Sequence, residues 1–123
     1  MVKNKYMIVE QYEKLGQQLY SATIEFDYKT CNNIQKKFVK TFKILEKDME
    51  LANQCISTML DSANVAVKIE AAAYCLALNI YTDKAIKILQ TISLSEKSNL
   101  WAENARLTLE VYNEKGSIKI YQK

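Results

Sequence analysis

Histidine is absent from the 123 residues, which removes Ser-His-Asp and Cys-His nucleophilic arrangements and the usual zinc ligand sets together. Gly16 and Gly116 stand alone, so neither a phosphate-cradling loop nor a dinucleotide fingerprint can be written onto the chain. Cys31, Cys55 and Cys75 are odd in number and widely spaced in apolar stretches. They read as buried free thiols and not as a disulfide framework. The carboxylate pairs Glu10 with Glu13 and Glu110 with Glu114 have the spacing of acid-base partners, but on a helix that spacing describes a solvated face. The expectation is a protein that is not an enzyme and that needs no metal and no cofactor.

What remains is surface chemistry. Lys36, Lys40, Lys43 and Lys47 recur at spacings of four, three and four, with Lys37 at the edge and Glu46 the only acid among them. Such spacing makes a basic stripe along one helix face. It reads either as a docking face for an acidic partner or a phosphate backbone, or as the ordinary polar side of a helix whose other side buries Phe38 and Phe42. The net charge of +3 decides little. Of the 17 cations only Arg106 is arginine, the residue suited to bidentate phosphate and base recognition, so sequence-specific nucleic-acid binding is disfavoured. Tyrosine occurs eight times, and it suits interfaces because it combines a large contact area with a polar tip. Tyr28, Tyr81 and Tyr121 fall outside the buried series and are the interface candidates. Trp101 reads as core.

These residues must be carried by helices. Zero Pro and two Gly leave too few turn formers for sandwiches or barrels of short strands. Ile8, Tyr12, Leu15, Leu19, Ala22 and Phe26 share one face of a first helix, which Gly16 weakens without ending. Cys31, Ile34, Phe38, Phe42, Leu45 and Met49 repeat the pattern behind an N-cap at Asp27 or Thr30. Asp48 can cap a third, shorter helix carrying Leu51, Ala52, Cys55, Ile56, Met59 and Leu60, which should stop near 61–64. Residues 65–80 are almost continuously apolar, broken only by Lys68, Glu70 and Asn79, and so form the central helix. Thr82 and Asp83 mark the next boundary, before Ala85, Ile86, Leu89 and Ile92. Ser93 with Glu96 has capping-box spacing for the last helix, although Ser95 or Ser98 offers an equal cap. That helix turns Trp101 or Ala102, Ala105, Leu109 and Tyr112 inward and ends at a left-handed Gly116. The organisation is one all-α domain over 1–116, a compact stack of five to six antiparallel helices, with 117–123 as a frayed tail or a short extended arm.

The run Val67, Lys68, Ala71, Ala72 and Leu76 resembles the second helix of a HEAT-type repeat. The stretch 60–116, with its Ala85, Ile88 and Leu89 pattern, is similar to a family of small bacterial HEAT-like helical proteins of unknown function. Lys68 stands where that family more usually has arginine, and no second full motif recurs at a fixed period, so a long solenoid is excluded. The resemblance implies a right-handed HEAT-like stack with an exposed groove. Some members look like immunity proteins, which implies stoichiometric neutralisation of a cognate bacterial toxin. The alternatives are a general interaction or assembly module, self-association included, and, on the lysine stripe alone, a nucleic-acid-binding helical protein.

The basic start of the chain precedes an apolar run that Glu10 interrupts, too short for a signal peptide. No stretch approaches the roughly 20 apolar residues of a membrane helix, so the expected compartment is the cytoplasm. Centrality of the 65–80 helix has a direct consequence. Ala72→Asp should unfold the domain or severely weaken it, because an unpaired carboxylate would enter the close-packed interior. Melting within a degree or two of the parent protein would refute the central placement.

Overall fold

The computed structural model describes residues 4–95 and 100–121, and in it the chain forms α1 (Lys5–Ile24), α2 (Tyr28–Leu45), α3 (Met49–Met59), α4 (Val65–Leu78), α5 (Thr82–Ser93) and α6 (Leu100–Lys115). The expected all-α stack is present as six helices, with no strand among the described residues. No helix among them is long and apolar enough to cross a membrane.

Local chemistry sets the boundaries. Asp27 accepts from the Thr30 N–H at 3.1 Å and Asp48 from the Leu51 N–H at 3.1 Å, so the expected caps of α2 and α3 satisfy otherwise orphaned first-turn donors. Asn64 does the same for α4, accepting from Ala66 at 2.8 Å and Val67 at 3.2 Å. Gly116 takes φ +73° and its N–H returns to the Tyr112 carbonyl at 2.7 Å, the left-handed stop expected of it. One expected cap is misplaced. Ser93 belongs to the last turn of α5 and donates its hydroxyl to the Gln90 carbonyl at 2.8 Å, because the α5 periodicity runs through it. Glu96 and Ser98 lie outside the described residues.

Packing follows side-chain size. α4 touches α1, α3, α5 and α6, and Ala66, Ala71, Ala72, Tyr74 and Cys75 on it are buried, so the most apolar helix is the centre of the fold. Ala71 and Ala72 on α4, Ala85 on α5 and Ala102 and Ala105 on α6 are all sealed from solvent. Such small side chains let neighbouring helix axes approach closely. α2 is different, meeting α4 through rings: Phe42 and Tyr74 lie 4.6 Å apart between centroids, and Phe38 stacks on Tyr12 of α1 at 4.8 Å.

Gly16 sits where α1 meets α4, and a Cβ built there would lie 2.5 Å from Val67 Cγ2. Val67 is fully buried and stiff at χ1 because it is β-branched, so it cannot swing aside. Gly16→Ala should therefore destabilise the protein by about 1–2 kcal/mol, with overpacking outweighing the gain in helix propensity. Combining it with Val67→Ala should cost less than the sum of the two single changes. Additive denaturation midpoints would show that the close approach is not what requires glycine.

Candidate functional site

α2, α4 and α6 do not close on one another completely. Between them, and bounded by the segment after α6, lies a groove of about 800 Å³. Gln35 and Val39 of α2 form one wall, Glu70 and Ala73 of α4 the floor, and Leu100, Asn104, Leu107, Thr108 and Val111 of α6 the other wall. The wall on α6 is unusually apolar for a surface: Leu100 is 57% exposed, Leu107 48% and Val111 40%. The same helix buries Ala102 and Ala105 and half-buries Trp101, Leu109 and Tyr112 against the core. α6 therefore carries apolar side chains on two faces, and only one of them is covered.

The segment 117–120 borders the groove through Ser117, Ile118, Lys119 and Ile120 and is fastened by Tyr121. The Tyr121 ring meets Phe42 at 6.2 Å and lies beneath Lys43 Nζ at 4.7 Å, while its hydroxyl donates to the Glu46 carboxylate. That hydrogen bond holds the phenol pKa above its ordinary value. Of the two possibilities for the end of the chain, the described residues through Tyr121 form an arm packed on α2.

Beneath the floor lies a polar cluster inside the core. The hydroxyls of Tyr12 and Tyr74 are 2.8 Å apart, and each lies 3.3 Å from the Phe38 carbonyl oxygen. Both side chains are sealed from solvent, and burial pushes both phenols well above their ordinary range. Glu70, one turn before Tyr74 on the same helix face, connects this cluster to the groove. Its carboxyl is pushed up to about 7 by loss of water around it, a shift that the nearby Tyr74 hydroxyl opposes. Among the described residues the ion pairs are Lys84 with Asp61 and Arg106 with Glu103 and Glu110. Glu103, the other acid lining the groove, is thus neutralised in place, and Glu70 has no such cation.

The residues singled out from the sequence fall into separate places. Lys36, Lys37, Lys40 and Lys43 are exposed on α2, whereas Lys47, expected on the same stripe, lies in the turn that follows it because the helix ends at Leu45. Lys36, Lys40 and Lys43 lie about a quarter-turn around the helix from the groove residues Gln35 and Val39, at 100° per residue. Tyr121 joins that stripe through Lys43. Tyr28 follows the α1–α2 turn, its ring edge-on to the exposed Phe26 at 6.4 Å. Tyr81 stands at the α4–α5 turn, with φ +47°. Neither lines the groove. Glu70 was missed, although the signal was visible: a carboxylate inside an otherwise apolar run, four residues before a tyrosine. Among the described residues no cluster of His, Cys, Asp and Glu could hold a metal.

The arrangement suits the holding of a ligand. A lone carboxyl titrating near neutrality can accept a proton or a cation, and the apolar wall beside it can cover hydrocarbon. Raising the Glu70 pKa from 4.5 to about 7 means that the folded state holds this proton more tightly than the unfolded chain. The associated stability is complete below pH 4.5, declines through the window from 4.5 to about 7, and is lost above it. Glu70→Gln should therefore change little at pH 4 and raise stability at pH 8 by on the order of 1–3 kcal/mol, measured by chemical denaturation. Equal effects at the two pH values would show that this carboxyl is not desolvated. Comparison of the chain with protein families, with curated proteins and with solved structures found no match, and the reading of the groove rests on its own chemistry.

Proposed function

We propose that this chain is a non-catalytic binding protein that seats a protein partner in the groove over α4, and that the partner is a bacterial toxin domain neutralised by one-to-one occupancy. The observation that carries the binding reading is the open stripe of Leu100, Leu107 and Val111 on a groove of about 800 Å³. An apolar surface left uncovered on a helix whose opposite face is packed marks a place where a partner recovers the hydrophobic burial that folding leaves unused. The resemblance of 67–76 and 85–89 to small HEAT-like proteins, some of them immunity proteins, supports a toxin as that partner. The lysine stripe on the adjoining face of α2 would steer an acidic partner toward the groove. A general assembly module would use the same groove with a different occupant.

Two variants separate the roles. Leu107→Lys should leave the fold intact, since the side chain is half exposed, and weaken the partner's affinity tenfold or more through faster dissociation. Lys36→Glu with Lys40→Glu should also fold normally, because surface changes usually stay within about 0.5 kcal/mol. Its effect should be a slower on-rate, largest at low salt. The partner would be captured from the native host, identified by mass spectrometry, and titrated against its own activity. Inhibition should reach an end point at one equivalent. Continued turnover of the partner at saturation would remove the immunity reading, and full affinity in Leu107→Lys would remove the groove.

A further inference from the structure

The floor of the groove specifies its occupant more closely. Resting on the groove as the binding face, we propose that the partner inserts an amphipathic helix that presents one lysine or arginine head group to Glu70.

The shape argues for a helix. The walls contributed by α2, α4 and α6 are helix surfaces whose backbone groups are already hydrogen-bonded within each helix, so beyond the short border at 117–120 they offer an extended strand no ladder to join. A helix satisfies its own backbone and needs only side-chain complementarity. From Leu100 to Val111 the open stripe runs roughly 16 Å at about 1.5 Å per residue, the length of about three helical turns. Apolar residues of the occupant at three- and four-residue spacing would cover Leu100, Leu107 and Val111.

Charge complementarity argues for the cation. Four charged residues line the groove: Glu70, Glu103, Lys115 and Lys119. Glu103 is held by Arg106, and the two lysines lie at and beyond the C-terminal end of α6. Of the two acids that line the groove, Glu70 is the one without an ion pair among the described residues. It is half-buried on the floor of the groove, one helical turn from Tyr74, so an ammonium or guanidinium arriving from the partner would meet a carboxylate that has already given up part of its water. Lys36, Lys40 and Lys43 of α2 lie about a quarter-turn around the helix from Gln35 and Val39, and none of them is paired with Glu70. Lys115 and Lys119 repel a second cation, so the occupant carries its basic residue at one point and neutral or acidic residues toward the arm.

The test is a selection with a phage-displayed library of helices of three to four turns, randomised on one face, against the intact protein. Enriched sequences should share apolar positions at helical spacing and one invariant lysine or arginine. Replacing that residue by norleucine in a synthetic peptide should weaken binding by at least about tenfold, and on Glu70→Gln the same replacement should change affinity by less than about threefold. Leu107→Lys should abolish binding of both peptides. If the enriched helices lose binding on Leu107→Lys but carry no fixed basic residue, or lose as much from its replacement on Glu70→Gln as on the parent, the pairing with Glu70 is wrong while the groove stands. If no helix is enriched, or enriched helices ignore Leu107→Lys, the groove itself is not a helix-binding face.

Discussion

Three helices are held in register by two phenolic hydroxyls that have nowhere else to go. Tyr12 comes from α1, Tyr74 from α4, and the carbonyl they share from Phe38 on α2. A hydroxyl left without a partner in an apolar interior costs about 1–3 kcal/mol, and no buried side-chain polar atom among the described residues is left without one. Hydrophobic burial alone would tolerate small slides of one helix over another. The hydroxyl pair does not, because a shift of an ångström or so at any of the three positions breaks contacts that water cannot replace. The stacked rings of Tyr12 and Phe38 and the contact of Phe42 with Tyr74 surround the pair with apolar surface, which strengthens each hydrogen bond and raises the penalty for losing it. Glu70 stands one helical turn before Tyr74 on α4, so the groove floor and the locked core share a helix.

The groove arises from a mismatch in side-chain size. Alanines are buried on α4, α5 and α6, which pack on one another, whereas α2 meets α4 through the larger rings of Phe42 and Tyr74. Between α2 and α6 the side chains that face each other leave a groove of about 800 Å³. The arm ending at Tyr121 occupies one side of that space and leaves the rest open. The apolar stripe on α6 is therefore exposed by geometry, and not by a shortage of apolar residues elsewhere.

The features legible in the sequence are those fixed by neighbours in the chain. Asp27 and Asp48 announce their helices because an N-cap acts over three residues, and Gly116 announces a stop because a left-handed residue acts on the turn before it. The 65–80 helix was readable as central because a chain segment apolar on nearly all sides must be covered on nearly all sides. Ser93 misled for the same local reason: a serine that could cap one helix serves equally well inside the last turn of another. What the sequence could not show was which face of α6 would be left open, since Leu100, Leu107 and Val111 are as apolar as the residues it buries. That choice depends on where α2 stops, which depends on rings far along the chain. Tyr121 stands outside the periodic apolar series, and its half-burial against the core depends on Phe42, Lys43 and Glu46, at least 75 residues away, beyond the reach of any spacing argument. Glu70 was visible only as an interruption, and its place on a groove floor needed the three-dimensional neighbourhood.

The stacking of Trp101 on Tyr20 joins α6 to α1, with the rings nearly parallel and 5.8 Å between centroids. Trp101 is the only tryptophan in the chain and directly follows Leu100, one end of the open apolar stripe. The protein thus contains its own optical gauge: indole emission, excited directly or by energy transfer from the adjacent phenol, originates at a single point on the covered face of α6, where that helix meets α1. Any event that levers α6 outward slides the indole across its neighbour and changes its colour and polarisation, without a dye being attached.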